Sequence, residues 1–284
     1  MSDSSKTLQA YAFCQKMARE HYENFPVASR LLPKTLRQPV SVIYAYARTA
    51  DDFADEGDAI AETRLSQLDD YEKFLLNAAK GHPNQDPIFI ALADVIKNDP
   101  RLLQPLRNLL IAFRSDVTIK QYETFHHLLE YCSNSANPVG RLILLLSNHA
   151  TEQNVAYSDS ICSALQLINF LQDIDIDYQE KKRLYIPLED MAQFSVNTSQ
   201  IAERQNSPQL TALVNQQIDK AHHMLLKGKP LGRNLPGRLG LEIRLTIHGG
   251  LQVINALRKR SDVFMQPKLQ LSDWLAIASR AIFT

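Results

Sequence analysis

Glycine is scarce in this chain, nine residues of 284, and the Asn-Gly and Asp-Gly pairs that close tight β-hairpins are missing. A sheet built from hairpins has almost no turns to use. Cysteine is scarcer still: Cys14, Cys132 and Cys162 are dispersed, with no C-x-x-C pair. That pattern suits reduced thiols in a cytoplasmic compartment better than a disulfide framework or a zinc site. A surplus of either charge is also absent, since 31 Lys and Arg balance 31 Asp and Glu. Backbone binding to nucleic acid usually leaves a basic surplus, so no nucleic acid is expected as a partner. Long apolar runs are missing too. Leu142 to Leu146 and Leu275 to Phe283 are too short or too interrupted to cross a bilayer, and Met1 to Gln9 has no apolar core of a secretory signal. At most, peripheral contact with the inner membrane face is expected.

What is present is ordinary globular material, 45% hydrophobic and 22% charged. Apolar residues recur with helical spacing over 8–22, 36–55, 60–79, 86–97, 100–116, 122–134, 138–150, 158–178, 208–227 and 238–264. Prolines such as Pro33, Pro83, Pro187, Pro230, Pro236 and Pro267 fall mostly between these stretches, as helix punctuation does. No strand–helix alternation and no fixed repeat is visible, so the chain reads as one all-α domain, 1–284. Two segments read as flexible surface: the polar loop Gly81 to Asp86, and Lys227 to Arg238, which has four basic residues, three glycines and no acid. The plain reading of the second is a solvated connection. The sharper one is a flap near a diphosphate or an anionic membrane.

The chemistry concentrates in two helices. In Val42 to Glu56, at about 100° per residue, Tyr44, Arg48, Asp51 and Asp55 share one stripe of a helix otherwise lined by Val42, Ile43, Ala47, Ala50 and Ala54. In Ile161 to Tyr178, Gln166, Asn169, Asp173 and Asp177 do the same among Leu165, Leu167, Ile168, Phe170 and Leu171. Carboxylates on such helices are costly unless a cation or hydrogen bonds satisfy them. Residues at i and i+4 sit about 6 Å apart. Two such pairs suit hard cations held through oxygen, and the lack of His among them points to Mg²⁺ rather than zinc or di-iron chemistry. This suggests Mg²⁺ ions that neutralise a departing diphosphate, with apolar space for a hydrocarbon chain.

These residues resemble the aspartate-rich motifs of the squalene and phytoene synthase family: Tyr44-x-x-x-Arg48-x-x-Asp51-Asp52-x-x-Asp55, then Gln166-x-x-Asn169-x-x-x-Asp173-x-x-x-Asp177, followed by Arg183-Leu184-Tyr185-Ile186-Pro187. Within the family the likeness is greatest to the bacterial branch that makes hydroxysqualene for squalene and hopanoid formation. It is carried by Glu23 to Ser29, Ala47 to Asp52, Ser135 to Arg141 and Tyr185 to Asp190.

The resemblance implies an isoprenoid-synthase-type helical bundle around a central apolar cavity. It implies a reaction in which presqualene diphosphate and water give hydroxysqualene and diphosphate, without NADPH. By the same resemblance Asp51, Asp55, Asn169, Asp173 and Asp177 bind Mg²⁺. His21, Asn24, Arg48, Gln166 and Arg183 hold the diphosphate, and Tyr44 and Tyr185 line the pocket. Gln172 stands where condensing members of the family often carry Arg before the second motif. A sister enzyme that condenses two prenyl diphosphates is the nearest alternative, and a non-catalytic assembly factor of the same fold a more distant one.

Overall fold

Long stretches rich in Ala, Leu, Gln, Glu and Lys favour helix over strand, and helices are what they form. The computed structural model describes residues 3–20 and 31–283. Among them the chain forms α1 (Asp3–Glu20), α2 (Lys34–Asp55), α3 (Ala61–Ala79), α4 (Pro87–Asn98), α5 (Leu103–Thr118), α6 (Phe125–Ser135), α7 (Asn137–Leu146), α8 (Glu152–Gln172), α9 (Ile174–Lys181), α10 (Leu188–Gln193), α11 (Thr198–Ala202), α12 (Pro208–Gly228), α13 (Leu231–Asn234), α14 (Gly237–Lys259) and α15 (Leu271–Phe283). No strand occurs among the described residues; one isolated parallel bridge joins Gln121 and Leu184. The all-α expectation is met. Helix starts follow capping chemistry: Asp86 accepts from the Ile88 amide with Pro87 at the first position, and Ser207 accepts from Leu210 ahead of Pro208.

The helices gather into two compact units, one from residues 1–118 and 138–151, the other from 119–137 and 152–284. In the first, α1 to α5 and α7 bury Tyr46, Tyr71 and Phe89. The Tyr46 and Tyr71 rings stack with centroids 5.1 Å apart, and Tyr71 meets Phe89 edge-on at 4.8 Å. Both hydroxyls are satisfied, Tyr46 donating to the Leu106 carbonyl and Tyr71 to that of Tyr46. In the second unit α8 lies along α12, and α14 packs on both. Asp190 of α10 is buried and accepts from Lys220 Nζ (2.7 Å) and Gln217 Nε2 (2.9 Å), which fastens α10 to α12. The three cysteines are free thiols; burial pushes Cys14 and Cys132 up to about 12, so both stay protonated at neutral pH.

Four expectations need correction. The helix read as 158–178 starts at Glu152, and Asp173 interrupts it with φ −106° and ψ 16°. The amide of Asp173 still donates to Asn169, and that of Asp177 to Asp173, so the interruption bends the stripe without changing its spacing. The helix read to 264 ends at Lys259, because Arg260 turns extended, with ψ 142°. Helices α10, α11 and α15 were not expected at all; the first two are under two turns long, too short for a periodic signal. Finally, Lys227 to Arg238 is no open loop. It is the end of α12, the turn α13 and the start of α14, with Leu231 and Leu235 buried. Its glycines serve close packing as much as freedom. Gly237 takes φ +53°, while at Gly240 a Cβ would run into the Leu235 carbonyl.

Candidate active site

On α2 the residues Val42, Ala45, Tyr46, Ala50 and Ala54 are buried, and Tyr44, Arg48, Asp51 and Asp55 lie half-buried beside them. The stripe is thus fixed by the packing of its own helix. Arg48 is its centre: its guanidinium reaches Asp52 at 2.8 Å and both Asp51 and Glu56 at 3.4 Å. Burial pulls the Arg48 pKa down, but Asp52, Asp51, Tyr44 and Glu56 together hold it above its ordinary value. Its Nε is buried without a hydrogen bond. The stripe ends where Arg64 of α3 closes over the end of α2. Arg64 donates to the carbonyls of Phe53 (3.0 Å), Glu56 (3.0 Å), Gly57 (2.7 Å) and Ala59 (2.9 Å). Cationic donors on the last carbonyls of a helix are favourable, and this one sets the path of the chain directly after Asp55.

The second stripe is built differently. Asp175, between the two candidate ligands, is taken by Arg204, whose Nε meets Oδ1 at 2.6 Å while Nη2 reaches Oδ2. Asp173 has an amide partner instead: Gln266, in the segment after α14, donates to its Oδ1. Burial pushes the Asp173 carboxyl above the usual carboxylate range, and the Gln266 bond only partly offsets this. Next to it Arg260 donates to the Leu171 carbonyl at 2.9 Å. Burial lowers the Arg260 pKa to about 10, with Asp262 opposing, and its second terminal nitrogen is buried with no hydrogen bond. A cation so placed favours an anionic partner.

Arg183 is buried, and its amide donates to the Asp177 carbonyl after Lys182 adopts φ 52°. Residues 184–189 then run beside 120–125 through Leu184 to Lys120, Leu188 to Tyr122 and Glu189 to Glu123 backbone bonds. Tyr185 lies flat on Phe170, centroids 3.6 Å apart at 5°, with Tyr122 stacked at 5.8 Å and Tyr131 tilted at 5.9 Å. The result is an aromatic wall next to the acidic stripe. Glu189 accepts from the Phe125 amide at 2.7 Å, so the Glu189-Asp190 pair of the motif is structural. Asn137 is structural as well, accepting from Ser163 at 2.8 Å.

Gln166 is half-buried and Asn169 exposed on α8. His21 and Asn24 lie outside the described residues. Sequence reading missed Arg64, Arg260 and Gln266. Arg260 follows Arg258 and Lys259, where a helix C-terminus ordinarily collects basic residues, so no sequence signal separates it from its neighbours.

The family model for squalene/phytoene synthase matches residues 18–274. The chain belongs to the squalene/phytoene synthase family. Among its relatives, the hydroxysqualene synthase of Rhodopseudomonas palustris is 32% identical over 84% of this chain and 80% of its own. That of Zymomonas mobilis is 33% identical over 78% and 74%. The crystal structure of squalene synthase HpnC from Alicyclobacillus acidocaldarius superimposes with a TM-score of 0.84 at 32% identity, covering 90% of this chain and 95% of that one. The family resemblance read from the aspartate motifs is therefore correct, and the chain is an isoprenoid synthase of this family, whose substrates are isoprenoid diphosphates. No helix among the described residues is long and apolar enough to cross a membrane.

Among the described residues no three His, Cys, Asp or Glu side chains gather as a metal cluster. The donor chemistry nevertheless fits Mg²⁺. Each stripe offers oxygen ligands, and burial raises the Asp173 carboxyl above its ordinary value.

Proposed function

We propose that the chain converts presqualene diphosphate and water into hydroxysqualene and diphosphate, as a step of squalene and hopanoid formation. The observation that carries this reading is the pair of polar stripes, one on the largely buried α2 and one running from α8 through Asp173 into α9, in a chain similar along most of its length to hydroxysqualene synthases. In the reaction the carbon–oxygen bond to the diphosphate breaks and the electron pair leaves with the diphosphate. The cyclopropane ring opens as the cation rearranges. A water oxygen then bonds to the cationic carbon and loses a proton.

Mg²⁺ held by Asp51, Asp55, Asn169, Asp173 and Asp177 would act as a Lewis acid on the diphosphate oxygens. Arg48, Gln166 and Arg183 bind the leaving diphosphate, together with His21 and Asn24. Arg260 joins them by virtue of its buried, unbonded nitrogen. The stacked faces of Tyr185, Phe170 and Tyr122 offer negative π-density to a carbocation, and Tyr44 belongs to the wall of the first stripe. No nicotinamide takes part, because water rather than hydride captures the cation. A lipid substrate and product also favour loose contact with the cytoplasmic membrane face.

Supplying presqualene diphosphate and farnesyl diphosphate separately, each with Mg²⁺ and without NADPH, tests the assignment. The expected outcome is a C30 alcohol from the first and no consumption of the second. Diphosphate release from farnesyl diphosphate alone would move the chain to the condensing branch.

A further inference from the structure

The basic stretch 227–238 forms the wall of a pocket. Between the end of α12, α13 and α14 lies a cavity of about 370 Å³, within the size range of small-molecule sites. Lys229, Arg233, Arg244 and His248 line it, and no carboxylate is among its lining residues. Arg244 is held rigidly, donating to the Gly232 carbonyl at 2.7 Å and the Ala281 carbonyl at 2.8 Å. His248 is buried, and burial lowers its pKa, with Lys229, Arg280 and Arg244 adding to the effect. Bringing cations together in a half-enclosed space is unfavourable until an anion enters. The pocket is separate from the acidic stripe. Arg244 and Arg260 are sixteen residues apart along α14 and its end, about 24 Å at the helical rise.

The lining is also part apolar. Leu226 and Ile247 contribute to it, and Leu226 is 43% exposed at the rim. An inorganic ion has no use for that surface, whereas an amphiphile does. The neighbouring helix points the same way. Gln252 donates to Asp273 and Arg244 to Ala281, so α15 runs antiparallel to the pocket's own helix. On its outer side it exposes Leu271 (77%), Trp274 (57%) and Leu275 (66%). Trp is characteristic of the membrane–water interface.

We propose that the pocket is a headgroup site for an anionic phospholipid, and that it and α15 seat the enzyme on an anionic bilayer. The inference rests on the C30-lipid reading only for its biological sense, since binding is measured without substrate. Flotation with phosphatidylcholine vesicles, with and without phosphatidylglycerol, is the test. The intact chain is expected to float with the anionic vesicles only. The exposed double variant Lys229→Glu/Arg233→Glu is expected to lose about thirtyfold in affinity or more while keeping its turnover of detergent-dispersed substrate. Trp274→Glu is expected to weaken vesicle binding but not the binding of soluble short-chain phosphatidylglycerol, followed through the His248 imidazole resonance. Equal binding to neutral vesicles, or full binding by the double variant, would overturn the proposal. So would inorganic phosphate shifting His248 as strongly as the short-chain lipid, because the site would then serve a free anion. Vesicle binding without turnover would fault the catalytic reading alone, and turnover without vesicle binding this one alone.

Discussion

The two acidic stripes look alike in sequence and differ in how their charge is managed. On α2 a single guanidinium, that of Arg48, spans Asp51, Asp52 and Glu56, so the carboxylates are partly neutralised by their own helix. Across α8 and α9 the middle acid, Asp175, is consumed by Arg204. Asp173 is left with an amide partner and a pKa raised by burial. In the first stripe a guanidinium of the same helix shares the carboxylates, whereas in the second Arg204 holds Asp175 from 29 residues on and an amide holds Asp173. The same residue type at the same spacing is therefore held by different partners in the two stripes.

The largest expected effect follows at Asp173. Asp173→Asn removes a carboxylate whose pKa burial raises and should lower kcat by at least about a hundredfold. Thermal unfolding should show that the fold is kept, since Asp173 is half-buried and contributes no core volume. Asp51→Asn should lower turnover to a similar degree, with a smaller change in apparent Mg²⁺ affinity because Arg48 already shares that stripe. Equal shifts of the Mg²⁺ titration in both variants would erase the contrast. Removing the metal sharpens it further. EDTA should stop turnover, and adding Mg²⁺ back should raise the Tm of the wild type more than that of Asp173→Asn. Indifference of both activity and Tm would show that the acids serve another chemistry.

Arg64 is a positioning residue for the first stripe alone. Arg64→Ala should cost about 1–3 kcal/mol through the unmet carbonyls it now satisfies. It should raise KM and the Mg²⁺ requirement, and Arg64→Lys should restore them in part. An unchanged Mg²⁺ profile would reduce Arg64 to a plain structural link.

The smallest effect is a control away from both stripes. Burial alone would raise the Glu72 pKa, but Arg107 at 2.8 Å and Arg114 at 2.9 Å hold the carboxyl below its ordinary value. Its stabilising contribution is present above the unfolded-state pKa, near 4.5, and disappears as pH falls through the lower folded-state value. Glu72→Gln should therefore be less stable than wild type at neutral pH by about 1 kcal/mol, and the gap should close at acidic pH. A pH-independent gap would point to lost packing instead.

Much of this was legible in the sequence, for physical reasons. Long helices such as α2, α3 and α12 announce themselves because apolar residues must recur each turn to reach a core. The acids were legible because a carboxylate among Val, Ile and Ala is costly without a task. What stayed hidden depends on contacts distant along the chain. Arg260 and Gln266 reach the second stripe from about ninety residues away, and no local pattern encodes that. Helical spacing already kept Asp175 off the stripe, but its partner Arg204, 29 residues on, was not legible. The basic stretch 227–238 misled through composition: glycines and prolines there serve a tight turn over Leu235, not mobility.

The central claim is water capture after diphosphate loss, and the most direct test is to run the purified enzyme on presqualene diphosphate with Mg²⁺ in oxygen-18 water without NADPH. A C30 alcohol carrying the heavy oxygen is the expected result. An unlabelled alcohol, or a hydrocarbon as the main product, would contradict it.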